Sequence, residues 1–346
     1  ALQDQAAEHG LLFPLDLGAR GSCTIGGNLA TNAGGNRVLR YGMTRAQVLG
    51  LEAVLADGTV VSSMNRMIKN NAGYDLKQLF IGTEGTLGII TRVVLRLHTA
   101  PSSHQVAMVA CAGFDELTRL LATLDGEFAG TLSAFEVMWP EFYRLVTSPP
   151  AAGKPPLGDY PLYVLLDTLG AHPELDQQRF EQVLGEQLEA GLVLDAVIAQ
   201  SEKERAELWA LRDDVEQVFQ WGPVMLFDVS LPIDAMDSYR QQVLHAWQAD
   251  FPEGHFLVFG HLGDGNLHFS ASVGKGTPEA RERVERALYG PLTELGGSVS
   301  AEHGIGLEKK RWLASCRSPE EIALMKTLKR TLDPAGILNP GKVFDI

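Results

Sequence analysis

Cationic side chains are scarce in this sequence. Twenty-nine Lys and Arg stand against 43 Asp and Glu, a formal net charge of −14. Nucleic-acid binding needs clustered cations to neutralise phosphates, so no nucleic acid is expected as a partner, and no polybasic attachment to an anionic membrane. Cysteine is nearly absent: Cys23, Cys111 and Cys316 are scattered and odd in number. That excludes a disulfide framework and fits a reducing compartment, so a cytoplasmic location is expected. No apolar run reaches the roughly 18 residues of a spanning helix, so no transmembrane segment is expected. The chain has neither GxGxxG after a strand nor GxxxxGK[ST], and an ordinary dinucleotide fold or P-loop is not supported. No signal peptide is expected: Ala1-Leu2-Gln3-Asp4-Gln5 reads as the middle of a helix, and the N-terminus as a cut rather than a start.

What is present suits a globular chain. A hydrophobic share of 45% with 21% charged residues is ordinary for one, and 346 residues make room for two domains or slightly more. Residues 1–100 are rich in Gly and Asn, with strand-like runs at Leu51–Leu55 and Ile89–Leu97. Asp57-Gly58 between apolar runs signals a hairpin. Pro101 marks a boundary. Residues 101–317 alternate strand-like runs (105–111, 131–138, 161–168, 192–198, 224–231, 256–261, 267–273, 298–301) with helix-like runs (114–124, 173–190, 202–220, 233–249, 278–295). The helical spacing of Leu175, Phe180, Val183, Leu184 and Leu188 is clearest in the second of these. The Pro-rich stretch 148–161 reads as a surface loop. Residues 318–346 hold a helix over 319–331, opened by Ser318 as N-cap and Pro319 at the first position, and then an extended tail.

The segment from His261 to His268 carries the most chemistry. Gly263-Asp264-Gly265-Asn266 is strong turn sequence between apolar β-formers, because Gly and Asn accept positive φ cheaply. If 263–266 form a hairpin loop, His261 faces His268 with Cβ atoms about 4.5–5.5 Å apart, a separation at which two imidazoles can share one divalent metal. A His pair flanking a turn is more commonly solvated or structural. Glu302-His303, inside a glycine-bounded segment, changes the balance, since catalytic metal sites use His2Glu sets with an open position. His261, His268 and Glu302 are therefore the candidate ligands.

Two further segments, Thr24–Asn36 and Ile81–Thr91, are dense in Gly, Asn and Thr. Each by itself reads as an irregular turn. Two such segments close together favour backbone contact with a flat or polyanionic cofactor.

Cys23 through Gly35, with Pro14-Leu15-Asp16, Tyr41-Gly42 and Tyr74 through Thr91, resembles the flavin-binding domain of the vanillyl-alcohol-oxidase/p-cresol-methylhydroxylase type. Gly260–His268, Glu302–Gly306 and Leu332–Lys342 are similar to the D-2-hydroxyacid dehydrogenase branch, which includes D-lactate, D-2-hydroxyglutarate and glycolate dehydrogenases. The resemblance covers essentially the whole chain. It implies an α+β fold class: residues 1–100 as the second half of an FAD-binding domain, 101–317 as a substrate cap with a mainly antiparallel sheet covered by helices, and 318–346 as a helix and tail returning to the FAD domain. Members of that family begin with a further subdomain that grips the FAD pyrophosphate. This chain is expected to lack it, as a truncated piece or as one of two subunits, and to hold FAD weakly by itself, with exposed apolar surface that favours a homodimer or disorder in residues 1–100.

The resemblance implies FAD and a divalent metal, Zn or Mn, as cofactors. Flavin contacts are expected from Gly26, Gly27, Asn28, Thr31, Asn32, Gly34, Gly35, Tyr41, Gly42, Glu84, Gly85, Gly88, Ile89 and Asn339. The activity implied is oxidation of a D-2-hydroxy acid to the 2-oxo acid. The metal on His261, His268 and Glu302 would bind the substrate hydroxyl and carboxylate and lower the hydroxyl pKa. His303, pointing away from Glu302 in an extended segment, would be the general base, and Asn266 at the loop tip would orient ligand or substrate. Arg212 matches the arginine that grips the substrate carboxylate; a surface pair with Glu216 is the plainer alternative. Some dicarboxylate-using relatives have a Lys where Leu226 stands and an Asn where Ser270 stands, so a smaller or more apolar monocarboxylate is expected here. The electron acceptor is left open among an electron-transfer flavoprotein, a cytochrome and a quinone. Two other readings stay beside this one: a metal-binding or scaffold subunit partnering a flavin-bearing chain, and a zinc hydrolase with His303 as base, which would leave the Gly/Asn segments without a task.

Overall fold

A computed structural model describes residues 1–151 and 153–346. It divides into two compact units, Ala1–Ala100 with Ser298–Ile346, and Pro101–Gly297.

The first unit opens with α1 (Leu2–Glu8), β1 (Leu11–Leu12), α2 (Ile25–Thr31) and α3 (Val38–Tyr41), followed by strands β2 (Val48–Val54), β3 (Val60–Ser63), β4 (Ile89–Leu95) and β5 (His98–Thr99). Three strands form an antiparallel sheet in the order β3-β2-β4, and β1 pairs with β5. The β2–β3 hairpin turns at Asp57-Gly58 as expected. Gly58 takes φ +85°, and Asp57 Oδ1 accepts the Thr59 N–H at 2.9 Å. Thr24 caps α2 through the Gly27 N–H, so the first Gly/Asn segment contains a short helix.

The core of this unit joins Leu29, Leu51, Ala53, Phe80, Ile81 and Leu87 to Leu328 and Leu332 of the C-terminal helix (Pro319–Leu332). That helix starts with a Ser318/Glu321 capping box and Pro in its first turn. The tail beyond it is not extended. Gly336, Asn339, Gly341 and Val343 all have positive φ, which turns the chain repeatedly.

The second unit contains β6 (Ser103–Cys111), α4 (Phe114–Phe128), β7 (Leu132–Met138), α5 (Pro140–Thr147), β8 (Leu162–Gly170), α6 (Pro173–Glu189), β9 (Asp195–Ile198), α7 (Glu202–Asp213), β10 (Met225–Ser230), α8 (Met236–Asp250), β11 (His255–His261), β12 (Asn266–Ser272) and α9 (Pro278–Tyr289). Its strands make one sheet in the order β10-β12-β11-β7-β8-β6-β9, with every pairing antiparallel. Side chains alternate faces along a strand, and directly paired residues share a face. Phe259 pairs with His268, so the adjacent Phe269 points through the opposite face. Phe142 of α5 stacks on Phe259, and Tyr239 of α8 meets Phe269 edge-on. Helices thus cover both faces of the sheet.

Several expectations change. The boundary expected at 317 lies at Gly297, so Ser298–Arg317 belongs with the first unit. The strand expected over 298–301 does not form: Ser298 Oγ bonds the Ser300 carbonyl, and positive φ at Gly304 and Gly306 breaks any extended run beyond. The helix expected over 202–220 ends at Asp213 and continues as a 3-10 turn, Val215–Trp221. The Pro-rich stretch is anchored: the Tyr143 phenol bridges both backbone groups of buried Leu157. All three cysteines are free, and burial pushes the Cys111 thiol up to about 12. No helix among the described residues is long and apolar enough to cross a membrane.

Candidate active site

The β11–β12 hairpin carries the histidines, in a register other than the expected one. His261 pairs with Asn266, and His268 pairs with Phe259. The turn is a 3-10 segment, Leu262–Asp264, closed by Gly265 at φ +82°. Leu262 is fully buried within that turn instead of facing Leu267, and this sets the register two residues from the simple hairpin. A slip of two preserves the face, whereas a slip of one inverts it. His261 and His268 therefore still share a face, as diagonal neighbours, with ring centroids 5.1 Å apart and planes at 79°. Asn266 is a strand residue rather than a loop tip.

Glu136 of β7 pairs directly with His261 across the sheet. Its Oε1 lies 2.7 Å from His261 Nδ1, and its Oε2 accepts Arg212 Nε–H at 2.8 Å. A carboxylate accepts and a guanidinium only donates. The hydrogen is therefore on His261 Nδ1, and the lone pair is on Nε2, 3.4 Å from Arg212 Nη2. Burial by itself would raise the Glu136 carboxyl. The electrostatic attraction and hydrogen bonds from the His261 N–H and the Arg212 guanidinium outweigh burial and hold it below its ordinary value.

Arg212 occupies the last turn of α7, is buried, and sits 4.8 Å over the Phe259 ring. Its ion-pair partner is Glu136 and not Glu216. Three residues earlier on the same helix, Trp209 Nε1–H donates to buried Asp167 at 2.9 Å. Residues three apart share a helix face, so two carboxylates rising from the sheet pin α7 and aim Arg212.

The same sheet face carries the residues beside the histidines. Asp228 pairs with His268, Leu226 pairs with Ser270, and Ser230 pairs with Asn266. Asp228 is completely buried, whereas Leu226 is 43% exposed on the edge strand. Asn266 is buried, and its side-chain oxygen has no partner among the described residues. A buried amide oxygen left so costs about 1–3 kcal/mol, a cost ordinarily offset by a ligand, ion or water. The donor set fits a divalent ion: two imidazoles edge to face, one with its Nε2 lone pair fixed, beside an unsatisfied amide.

In the first unit, Glu302 and His303 lie in a bend, not in an extended strand, so alternation cannot set the direction of His303. Its ring is exposed. Glu302 Oε1 accepts the Gly35 N–H at 2.5 Å. A Cβ on Gly34 would lie 2.5 Å from that oxygen, and a Cβ on Gly35 2.1 Å from the Asp16 carbonyl. These two glycines therefore admit the chain's own groups. Glu84, at φ 54°, receives Ile305 N–H at 2.7 Å and Gly306 N–H at 2.8 Å on its two oxygens. Asn339 donates to the Glu84 carbonyl.

The remaining expected flavin contacts divide in two. Several are tied into the fold. Gly27 closes the Thr24 cap and Thr31 bonds back to Gly27 O. Asn32 is the left-handed end of α2 and accepts from Arg45 N. Tyr41 lies edge-on to His98, Gly42 turns at φ 74°, and Gly88 packs against Phe80. Buried Asn28 lies on α2. Others are open: a Cβ on Gly26 or Gly85 would meet nothing, and Ile89 is exposed.

Glu136, Asp167 and Asp228 were not singled out from the sequence. Their shared signal is a lone acid within an otherwise apolar strand, as in Leu132–Met138. Asn36 was also passed over; its amide nitrogen is buried without a partner among the described residues.

Residues 100–343 match the family described as FAD linked oxidases, C-terminal domain. The chain belongs to the FAD linked oxidases. Residues 1–63 match a second family, described as FAD binding domain, so both families are flavin families. The mitochondrial D-2-hydroxyglutarate dehydrogenase of Bos taurus is 44% identical over 345 residues, covering 99% of this chain and 63% of that protein. The Rattus norvegicus enzyme of the same name is 43% identical over 97% of this chain and 63% of its own length. The D-2-hydroxyglutarate dehydrogenase of Xanthomonas citri pv. viticola is 39% identical, covering 100% of this chain and 73% of that protein. This FAD linked oxidase chain thus spans less than two thirds of the cattle and rat relatives. Among solved structures, p-cresol methylhydroxylase superposes with a TM-score of 0.73 at 16% identity, covering 99% of this chain and 74% of that one. The 4-ethylphenol oxidase of Gulosibacter chungangensis does so with 0.72 at 18%, with the same coverages. These likenesses establish the fold, with its mixture of helices and antiparallel sheets.

Proposed function

We propose that the complete protein is a flavin-dependent dehydrogenase that oxidises a D-2-hydroxy acid to the 2-oxo acid. The observation that carries this reading is the His261–His268 pair on one sheet face, ring centroids 5.1 Å apart, next to the unsatisfied amide oxygen of Asn266. His261, His268 and Glu302 would hold one divalent ion, zinc or manganese. Arg212 binds the substrate carboxylate: Nε is committed to Glu136, which leaves the Nη1–Nη2 edge of the guanidinium for a bidentate grip. Asn266 orients the substrate or an ion-bound water. His303 takes the hydroxyl proton. The unit built from Ala1–Ala100 and Ser298–Ile346 contributes flavin contacts, with Gly26, Gly85 and Ile89 open to a ligand. When bound, the ion and the flavin supply Lewis-acid polarisation of the hydroxyl and acceptance of the hydride from Cα.

The substrate is a small or apolar monocarboxylate. Leu226 and Ser270 are direct partners on the histidine face, and neither supplies a cation for a second carboxylate. The relatives named D-2-hydroxyglutarate dehydrogenase are named for a dicarboxylate, so this preference separates the chain from them. Electrons pass onward to an electron-transfer flavoprotein, a cytochrome or a quinone, and a homodimer is the proposed assembly. A compartment that keeps thiols reduced, the cytoplasm among them, suits three free cysteines; the cattle and rat relatives are named as mitochondrial.

The test is dye reduction by the full-length protein across D- and L-2-hydroxy acids, before and after chelation. D-isomers only, with activity lost on chelation and restored by zinc or manganese, is the expected result. Undiminished turnover after complete metal removal would sink the reading.

A further inference from the structure

We infer that Glu136 is a positioning residue that presents two groups at once, the Nε2 lone pair of His261 and the guanidinium of Arg212. The inference rests on the proposed roles of His261 as a metal ligand and Arg212 as the carboxylate anchor. Glu136 is buried in the sheet at 1% exposure. It stands directly opposite His261 in the ladder, and its two oxygens are divided between the partners at 2.7 and 2.8 Å. This is the arrangement in which an outer carboxylate fixes the tautomer and ring plane of a ligating histidine. Here the same carboxylate also holds the arginine, so one rigid strand residue sets the relative placement of the two.

A second consequence concerns Nε2. Arg212 Nη2 lies 3.4 Å from it, on the lone pair an ion would use. Arg212 Nη2 therefore competes with an ion for that lone pair, and the planar guanidinium has to tilt as one unit about its Glu136 contact to release it.

Glu136→Gln is the direct test. A carboxamide offers one acceptor oxygen, so either His261 or Arg212 must face an NH2 group. Metal-stripped full-length protein is titrated with cobalt(II) and followed by absorbance. Cobalt affinity is expected to fall about 10- to 100-fold in Glu136→Gln, and to stay within about twofold of wild type, or tighten, in Arg212→Met. The double variant Glu136→Met/Arg212→Met removes carboxylate and cation together, so no buried charge is left unpaired. It should lose cobalt affinity as Glu136→Gln does. Wild-type affinity in both Glu136 variants would overturn the inference.

A wild-type protein that binds no cobalt would instead overturn the metal reading. The inference is then decided by imidazole 15N shifts of metal-free protein. An Nδ1–H tautomer at His261 that is lost in Glu136→Gln supports the positioning role, and an unchanged tautomer overturns it. A residue that merely stabilised the sheet would move neither the tautomer nor the cobalt affinity of folded protein.

Discussion

The carboxylate of Glu84 holds the backbone of Ile305, accepting its N–H at 2.7 Å while the other oxygen takes the Gly306 N–H at 2.8 Å. The segment just after Glu302 and His303 is thereby tied to a residue 221 positions earlier. Gly304 is packed against the same side chain, since a Cβ there would lie 2.8 Å from Glu84 Oε1. The Glu302–Gly306 bend is therefore shaped by an ionic clamp from outside it.

Removing the clamp should be measurable. Hydrogen bonds to a charged group contribute about 1.5–3 kcal/mol each, less for a half-exposed one. Glu84→Ala is expected to lower stability by roughly 2–4 kcal/mol in urea denaturation. Glu84 has φ 54°, a region that costs a residue with a Cβ about 1–2 kcal/mol. Glu84→Gly should therefore fall between wild type and Glu84→Ala. An alanine variant as stable as wild type would show that the clamp holds nothing.

Substrate preference follows from the edge of the second unit's sheet. Leu226 pairs with Ser270, two strand positions from the Asp228–His268 pair, and Leu226 is partly exposed. Leu226→Lys with Ser270→Asn should improve kcat/KM for a D-2-hydroxy dicarboxylate over a monocarboxylate by about 10- to 100-fold, the scale of one added charge-assisted hydrogen bond. The check is competition kinetics with D-lactate and D-2-hydroxyglutarate. If the ratio stays where it is in wild type, this strand edge does not read the substrate's far end.

The C-terminal tail is pinned by a buried ion pair. Lys329 Nζ bonds Asp333, the Thr86 carbonyl at 2.9 Å and the Leu338 carbonyl at 2.6 Å, while Asp333 accepts Ile337 and Leu338 N–H at 3.0 and 2.8 Å. Burial opposes ionisation of Asp333, but Lys329 and the two N–H groups prevail and hold its carboxyl below the ordinary 3.8. A carboxyl lowered by folding stabilises the fold fully above its unfolded value, and that stability is lost as pH falls through the lower folded value. Asp333→Asn should cost about 3–5 kcal/mol at pH 7, and should flatten the loss of stability below pH ~4. Urea midpoints from pH 3 to 7 give both numbers, and parallel curves for the two proteins would refute the argument.

Local pattern was a good guide where the physics is local. Apolar runs placed the strands around His261 and His268, Ser318-Pro319 placed the start of the last helix, and Asp57-Gly58 placed a hairpin. The shared face of His261 and His268 also survived an error in register, because side-chain direction repeats every two residues and the slip was two. Pattern failed at 298–301 and in the tail, where positive φ at several residues interrupts what composition reads as extended chain.

Sequence alone determined the strands of the histidine hairpin, the face the histidine pair occupies and the flavin family to which the chain belongs. Only the tertiary structure decided that Glu136 meets Arg212 from 76 residues away, that Gly34 and Gly35 make room for Glu302 and Asp16, and that the second unit ends at Gly297. The reason is physical. Periodicity and turn chemistry act over a few residues and leave a mark in the order of the chain. A buried carboxylate's choice between distant donors depends on which strands and helices pack together, and no stretch of sequence records that.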